Sequence, residues 1–209
     1  MARLPREFYN GSTVEIAQKL LGKYLVHIWQ RQPLVCRITE TEAYVGCCDK
    51  ACHAYQYHKT ARNAVMFGEP GHAYIYFIYG MYHCLNFVTE PAGEPSAVLI
   101  RGAEPICGTA AMERLRYGEK AGVPTPAQRR NLMNGPGKLC KALSLSKYEN
   151  GMDLTGSELF VCETPADVGV LPLPSLPKME KIHAAPRIGV DYAEEAREFP
   201  WRFYLESEE

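Results

Sequence analysis

Glu40 and Glu42 stand two residues apart in a strand-like run in which alternation puts Leu34, Cys36 and Ile38 on one face. Continuing that alternation carries both glutamates onto the same apolar side. A carboxylate withdrawn from water needs a cationic partner or a task, and the task that suits it is accepting a proton from water as a general base. The residues alone give Glu42, at the strand end, a slight edge over Glu40, which can instead pair with Arg37 or a backbone donor.

A second cluster is the segment 74–86, YIYFIYGMYHCLN, which gathers four tyrosines around one glycine in a hairpin pattern. Tyr79 falls on the turn beside Gly80, where a side chain is normally solvated, and a ring held out on a tip suits insertion between stacked bases. An ordinary aromatic core strand fits the same letters. A third cluster, Asn134-Gly135-Pro136-Gly137-Lys138, opens a short helix with free backbone N–H groups beside a lysine, a seat for a phosphate. The fourth group, Cys47, Cys48, Cys52 and His53, has metal-ligand residue types in poor spacing. Adjacent cysteines rarely share one tetrahedral ion, and no second Cys-x-x-Cys pair follows, so no metal is expected.

These groups must be positioned by a fold that the pattern partly specifies. Ser12 and Glu15 read as a capping box for a helix closed by Gly22, and strands are expected at 24–29 and 34–42 with a reversal across 30–33. Residues 45–70 have no clear period and read as a long, ordered functional loop. Further strands are expected at 73–78, 82–88, 97–102, 159–162, 187–190 and 202–205, and helices at 105–117 and through Leu139, Ala142 and Leu143; the stretch 171–177 is proline-rich. Hairpin links dominate over alternating helices, so the expected architecture is α+β: a single domain over residues 1–209, with a curved, mainly antiparallel sheet, surrounding helices and a protruding β-hairpin.

Composition bounds the class. The chain has 209 residues with 46% hydrophobic and 22% charged residues, ordinary for one globular domain. No apolar run is long enough for a membrane span and the first residues lack a secretory core, which points to a cytoplasmic protein. The eight scattered cysteines pack as small hydrophobes rather than forming a disulfide scaffold. A net charge of −1 conceals an uneven distribution: residues 129–147 carry five bases and no acid, whereas residues 191–209 carry seven acids and two arginines. A basic face for nucleic acid is therefore possible beside the plainer reading of a solvated helix. Rossmann, Walker and nucleophile-elbow patterns are absent.

Glu40-Thr41-Glu42-Ala43-Tyr44, Gly46, Asp49-Lys50-Ala51-Cys52-His53, Thr60, Arg62-Asn63, Met66-Phe67, the segment 74–86, Arg101 and Gly135-Pro136-Gly137-Lys138-Leu139 occur in that order. In combination they resemble the alkyladenine (3-methyladenine) DNA glycosylases of the alkyl-purine type, over residues 8–204. The resemblance implies a monomer that binds double-stranded DNA containing damaged purines, flips the damaged base out and hydrolyses its N-glycosidic bond without metal or organic cofactor. It implies Glu42 as the water-activating base with Arg101 beside it, and Tyr44, His53, Tyr76 and Asn86 as the base pocket. Tyr79 fills the vacated stack, with Met81 and Tyr82 in the minor groove, and Thr60, Arg62 and Lys138 hold phosphates. The loop 55–59 lacks glycines often found there, and Cys47, Cys48 and Cys52 are unusual fillings, which leaves that loop's conformation open. Two other functions use the same residues: a catalytically silent binder of damaged DNA, and a hydrolase of free nucleosides. The second has no need of a protruding Tyr79 or of the basic segment.

Overall fold

Two left-handed residues, Gln30 (φ 48°) and Arg31 (φ 65°), reverse the chain between β1 (Tyr24–Trp29) and β2 (Gln32–Val45). This is the two-residue turn whose twist matches that of the strands it joins. The computed structural model describes residues 3–119, 122–169 and 180–207; the proline-rich stretch 171–177 lies outside them. The remaining strands are β3 (Ala73–Ile78), β4 (Tyr82–Thr89), β5 (Ser96–Cys107), β6 (Leu159–Cys162), β7 (Glu180–Ala185) and β8 (Arg202–Ser207). All pair antiparallel in one sheet of order β3-β4-β5-β2-β1-β6, with β8 beside the C-terminal part of β2 and β7 outside β8. The architecture is the expected single-domain α+β fold.

Helices α1 (Arg6–Tyr9), α2 (Thr13–Lys19), α3 (Thr109–Tyr117), α4 (Pro126–Arg130) and α5 (Pro136–Ala142) complete it. Ile16 and Leu20 near α2, Met112 of α3 and Leu139 of α5 pack with Leu34, Ile38, Leu85, Phe87, Val98 and Ile100 into the main core on one sheet face. No helix among the described residues is long and apolar enough to cross a membrane.

The strand alternation breaks where the chemistry lies. Ile38 pairs with Ala103 and Glu40 with Gly102, so Thr39 is an extra residue on β2; Thr41 pairs with Ile100, so Arg101 is an extra residue on β5. Each bulge reverses the parity of its strand. Beyond it the core-facing residues are Thr41, whose Oγ1 donates to the Ala17 carbonyl of the α2 helix, and Ala43. Glu40 and Glu42 therefore lie on the sheet face opposite to Leu34, Cys36 and Ile38, contrary to simple alternation.

Other local expectations need correction. Ser12 makes no side-chain cap; the Thr13 N–H and hydroxyl are instead taken by Glu90. Residues 105–107 continue β5 because Pro105 and Cys107 pair with Cys36 and Val35, so α3 starts only at Thr109. Residues 187–190 are a loop rather than a strand, and β7, which supplies the outer edge of the sheet, was not legible as one.

Candidate active site

On the face away from the main core, side chains of β3, β4, β5 and β2 line a cleft of about 730 Å³. Cross-strand register sets the lining: Tyr74 lies opposite Asn86, Tyr76 opposite Cys84, Asn86 opposite Leu99 and Leu99 opposite Glu42. The loops at 51–53 and 188–192 and the start of α5 close it.

Glu42 is wholly buried at 0% exposure and lines this cleft. Its Oε2 accepts a hydrogen bond from the Tyr44 hydroxyl at 2.7 Å and its Oε1 accepts from the Ile188 N–H at 3.0 Å. Arg101 Nε lies 3.6 Å from that same Oε1 and 3.2 Å from Glu40 Oε1. Burial raises the pKa of the Glu40 carboxyl, with Arg101 and Arg202 pulling the other way. Arg37, the partner offered for Glu40 by sequence, is engaged with Glu180 and Glu104 instead. Glu40 is not part of the cleft lining, so the two carboxylates separate in role: Glu40 neutralises arginines at its edge, and Glu42 presents a fixed acceptor to its interior. Burial, then the neighbouring Glu42 charge, hold the Tyr44 phenol well above its ordinary pKa, so it remains a donor to the carboxylate.

Tyr76 and His53 meet edge to face with ring centroids 4.5 Å apart, and His53 Nδ1 lies 2.9 Å from the Tyr74 hydroxyl. Asn86 donates from Nδ2 to the Tyr74 and Cys84 carbonyls at 3.0 and 3.3 Å, which fixes its amide plane within the cleft. The loop carrying His53 is pinned by the buried Asn63, whose Nδ2 donates to the His53 and His58 carbonyls and whose Oδ1 accepts from Thr60. Nothing in the sequence around Asn63 marks it for this task, because its partners lie on the irregular loop 53–60. Although His53 is exposed as a residue, its ring is enclosed by the two tyrosines; that enclosure, then the nearby Arg62 charge, lowers its pKa to about 4. Unfolded, the ring protonates near 6.5, so stability falls as pH drops from about 6.5 toward 4 and loses no more on this account below 4. A ring NMR titration should show the His53 midpoint near 4; a midpoint near 6.5 would contradict its enclosure.

At the tip of the β3–β4 hairpin, Tyr79 (φ 53°) and Gly80 (φ 68°) are both left-handed, and the Met81 N–H donates to the Ile78 carbonyl at 3.3 Å. Tyr79 is 78% exposed and lines the mouth of the cleft. Holding a tyrosine in that conformation costs energy and is common where a turn has a function. Tyr82 leans on the start of α5: a Cβ at Gly137 would come within 2.8 Å of its ring, so only glycine permits this contact.

The cleft thus brings together Glu42, Arg101, Tyr44, His53, Tyr76, Asn86, Tyr79, Tyr82 and Lys138. Three sequence candidates stand apart. Met81 lies on the other side of Tyr82, along a second cleft of about 790 Å³. Thr60 is bonded to Asn63, and Arg62 donates to the Phe77 carbonyl at 3.1 Å with its guanidinium over the Tyr76 ring. Lys138 Nζ donates to Asn134 Oδ1 at 2.8 Å. Within the basic segment, Arg129 pairs with Glu113.

The family model described as methylpurine-DNA glycosylase matches residues 7–209. The chain belongs to the methylpurine-DNA glycosylase family. It is therefore a DNA glycosylase, a hydrolase of N-glycosyl bonds acting on DNA. A curated relative from Desulfitobacterium hafniense (strain Y51) is 48% identical over 206 residues, 99% of this chain and 96% of that protein. Relatives from Bacillus cereus (strain B4264), at 48% over 97% of this chain and 95% of the other, and from Alkaliphilus oremlandii (strain OhILAs), at 47% over the same shares, are similar throughout. All three bear the name "Putative 3-methyladenine DNA glycosylase".

Proposed function

We propose that this glycosylase flips an alkylated or deaminated purine, of the 3-methyladenine, 7-methylguanine, hypoxanthine and etheno-adenine class, out of duplex DNA into the cleft, and cleaves it with a water activated by Glu42. The water oxygen bonds to C1′ of the sugar as the C1′–N bond breaks; its electron pair leaves with the purine, and Glu42 takes the water proton. Arg101 sets its positive charge beside the Glu42 carboxylate, and the carboxylate steadies the cation developing on the sugar. Tyr44 and Tyr76 stack against the flipped base, which favours electron-poor methylated rings, while His53 and Asn86 test its edge. Tyr79 fills the gap in the stack, flanked by Met81 and Tyr82, and Thr60, Arg62 and Lys138 take backbone phosphates.

The observation that carries this reading is the wholly buried Glu42, held by Tyr44 and the Ile188 N–H at the wall of an aromatic cleft whose mouth carries an exposed tyrosine. The enzyme acts as a monomer and needs no cofactor. The test compares release of hypoxanthine from a duplex and from free deoxyinosine: efficient release from the duplex alone is expected, and equal use of the nucleoside would overturn the reading. Activity should also survive exhaustive chelation. Loss of activity on chelation, restored by one zinc per chain, would contradict it.

A further inference from the structure

Arg187 and Asp49 lie behind the cleft, both side chains at 0% exposure. Arg187 donates to both carboxylate oxygens of Asp49, at 2.5 and 2.8 Å, and to the carbonyls of Ala43 and Ala196, at 2.8 and 3.0 Å. Its guanidinium is 4.7 Å from the centroid of the Tyr44 ring and 5.3 Å from that of Trp201. Asp49 in turn accepts from the N–H groups of Val45 and Ala51. The cation thus bonds the carbonyl of the residue between Glu42 and Tyr44, and touches the Tyr44 ring itself. The next residue along, Ile188, gives Glu42 Oε1 its backbone donor.

We propose that the buried Arg187–Asp49 pair is a positioning device for catalysis, locking at once the plane of the Tyr44 ring and the direction of the Glu42 carboxylate. This rests on the roles given above to Glu42 and Tyr44. Three features separate such a device from a plain structural ion pair. All of its visible bonds converge on two short segments, 43–51 and 187–196, that frame the cleft. The flat guanidinium matches a flat ring, which an ammonium cannot do. Burying a charge pair is also a poor way to gain stability, since apolar residues of similar size often do as well.

Two variants test it, with rates taken per lesion-binding site so that only folded protein counts. Arg187→Lys keeps the charge and loses the fork and the flat face. The double variant Arg187→Met/Asp49→Leu removes both charges and fills the space. Each should bind undamaged duplex as the parent does, because neither residue reaches the surface. Single-turnover excision should fall roughly 10- to 100-fold, the scale of a displacement near 1 Å in a catalytic geometry. Either variant excising within threefold of the parent would overturn the proposal, since a structural pair is replaceable once the fold is kept. Glu42→Gln is measured alongside: if that variant stays active the role of Glu42 fails, whereas an inactive Glu42→Gln with fast pair variants fails the positioning role alone.

Discussion

Glu42→Gln is expected to lower base excision by roughly 10²–10⁴-fold, the usual contribution of a positioned general base, with lesion-duplex affinity nearly unchanged. The amide can occupy the same space in one orientation: its oxygen accepts from the Ile188 N–H and faces Arg101, where Glu42 Oε1 now lies, and its NH₂ donates to the Tyr44 hydroxyl. Geometry is kept while the proton acceptor is lost. Single-turnover excision and binding to a lesion duplex, measured on the same preparation, separate the two. Excision within tenfold of the parent would remove Glu42 from the role of base.

Tyr79→Ala carries the next largest effect. Stacking of a ring on a base contributes about 1–3 kcal/mol, so the flipping equilibrium should fall roughly tenfold to a hundredfold. The fold should hardly notice, because a side chain 78% exposed on a turn buries little. The loss should be smaller for a lesion opposite a mismatch, where unpairing is already easier. Fluorescence of a base analogue beside the lesion reports flipping, and thermal melting of the protein reports stability. Unchanged flipping with a large fall in melting temperature would make Tyr79 a packing residue.

Local signals were legible where local physics decides. The turn at Tyr79-Gly80 and the strand β1 follow from residue type and alternation, and both stand at the expected positions. Glu42 reaches the cleft for a different reason from the one alternation supplies. A one-residue bulge at Thr39, matched by one at Arg101, turns the strands over, and the letter that hints at it is Gly102, inside β5 and paired with Glu40, rather than anything in the alternation of β2 itself. Distance in sequence hid the rest. Arg187 meets Asp49 across 138 residues, and its neighbour Ile188 meets Glu42 across 146, so the stretch 187–190 reads as a short strand in the sequence whereas it is a loop that bonds these two carboxylates. Residues 105–107 joined β5 because a partner strand was available, overriding a helical period.

Damaged-purine excision is the central claim, and direct detection of the free base tests it. Duplexes carrying one 7-methylguanine, hypoxanthine or etheno-adenine, and an undamaged control, are incubated with excess enzyme in chelator, and released purine and abasic strand are quantified by mass spectrometry. At least one lesion should yield one free base per abasic site while the control yields none. Binding to the lesion duplexes with no base released from any of them would contradict the account.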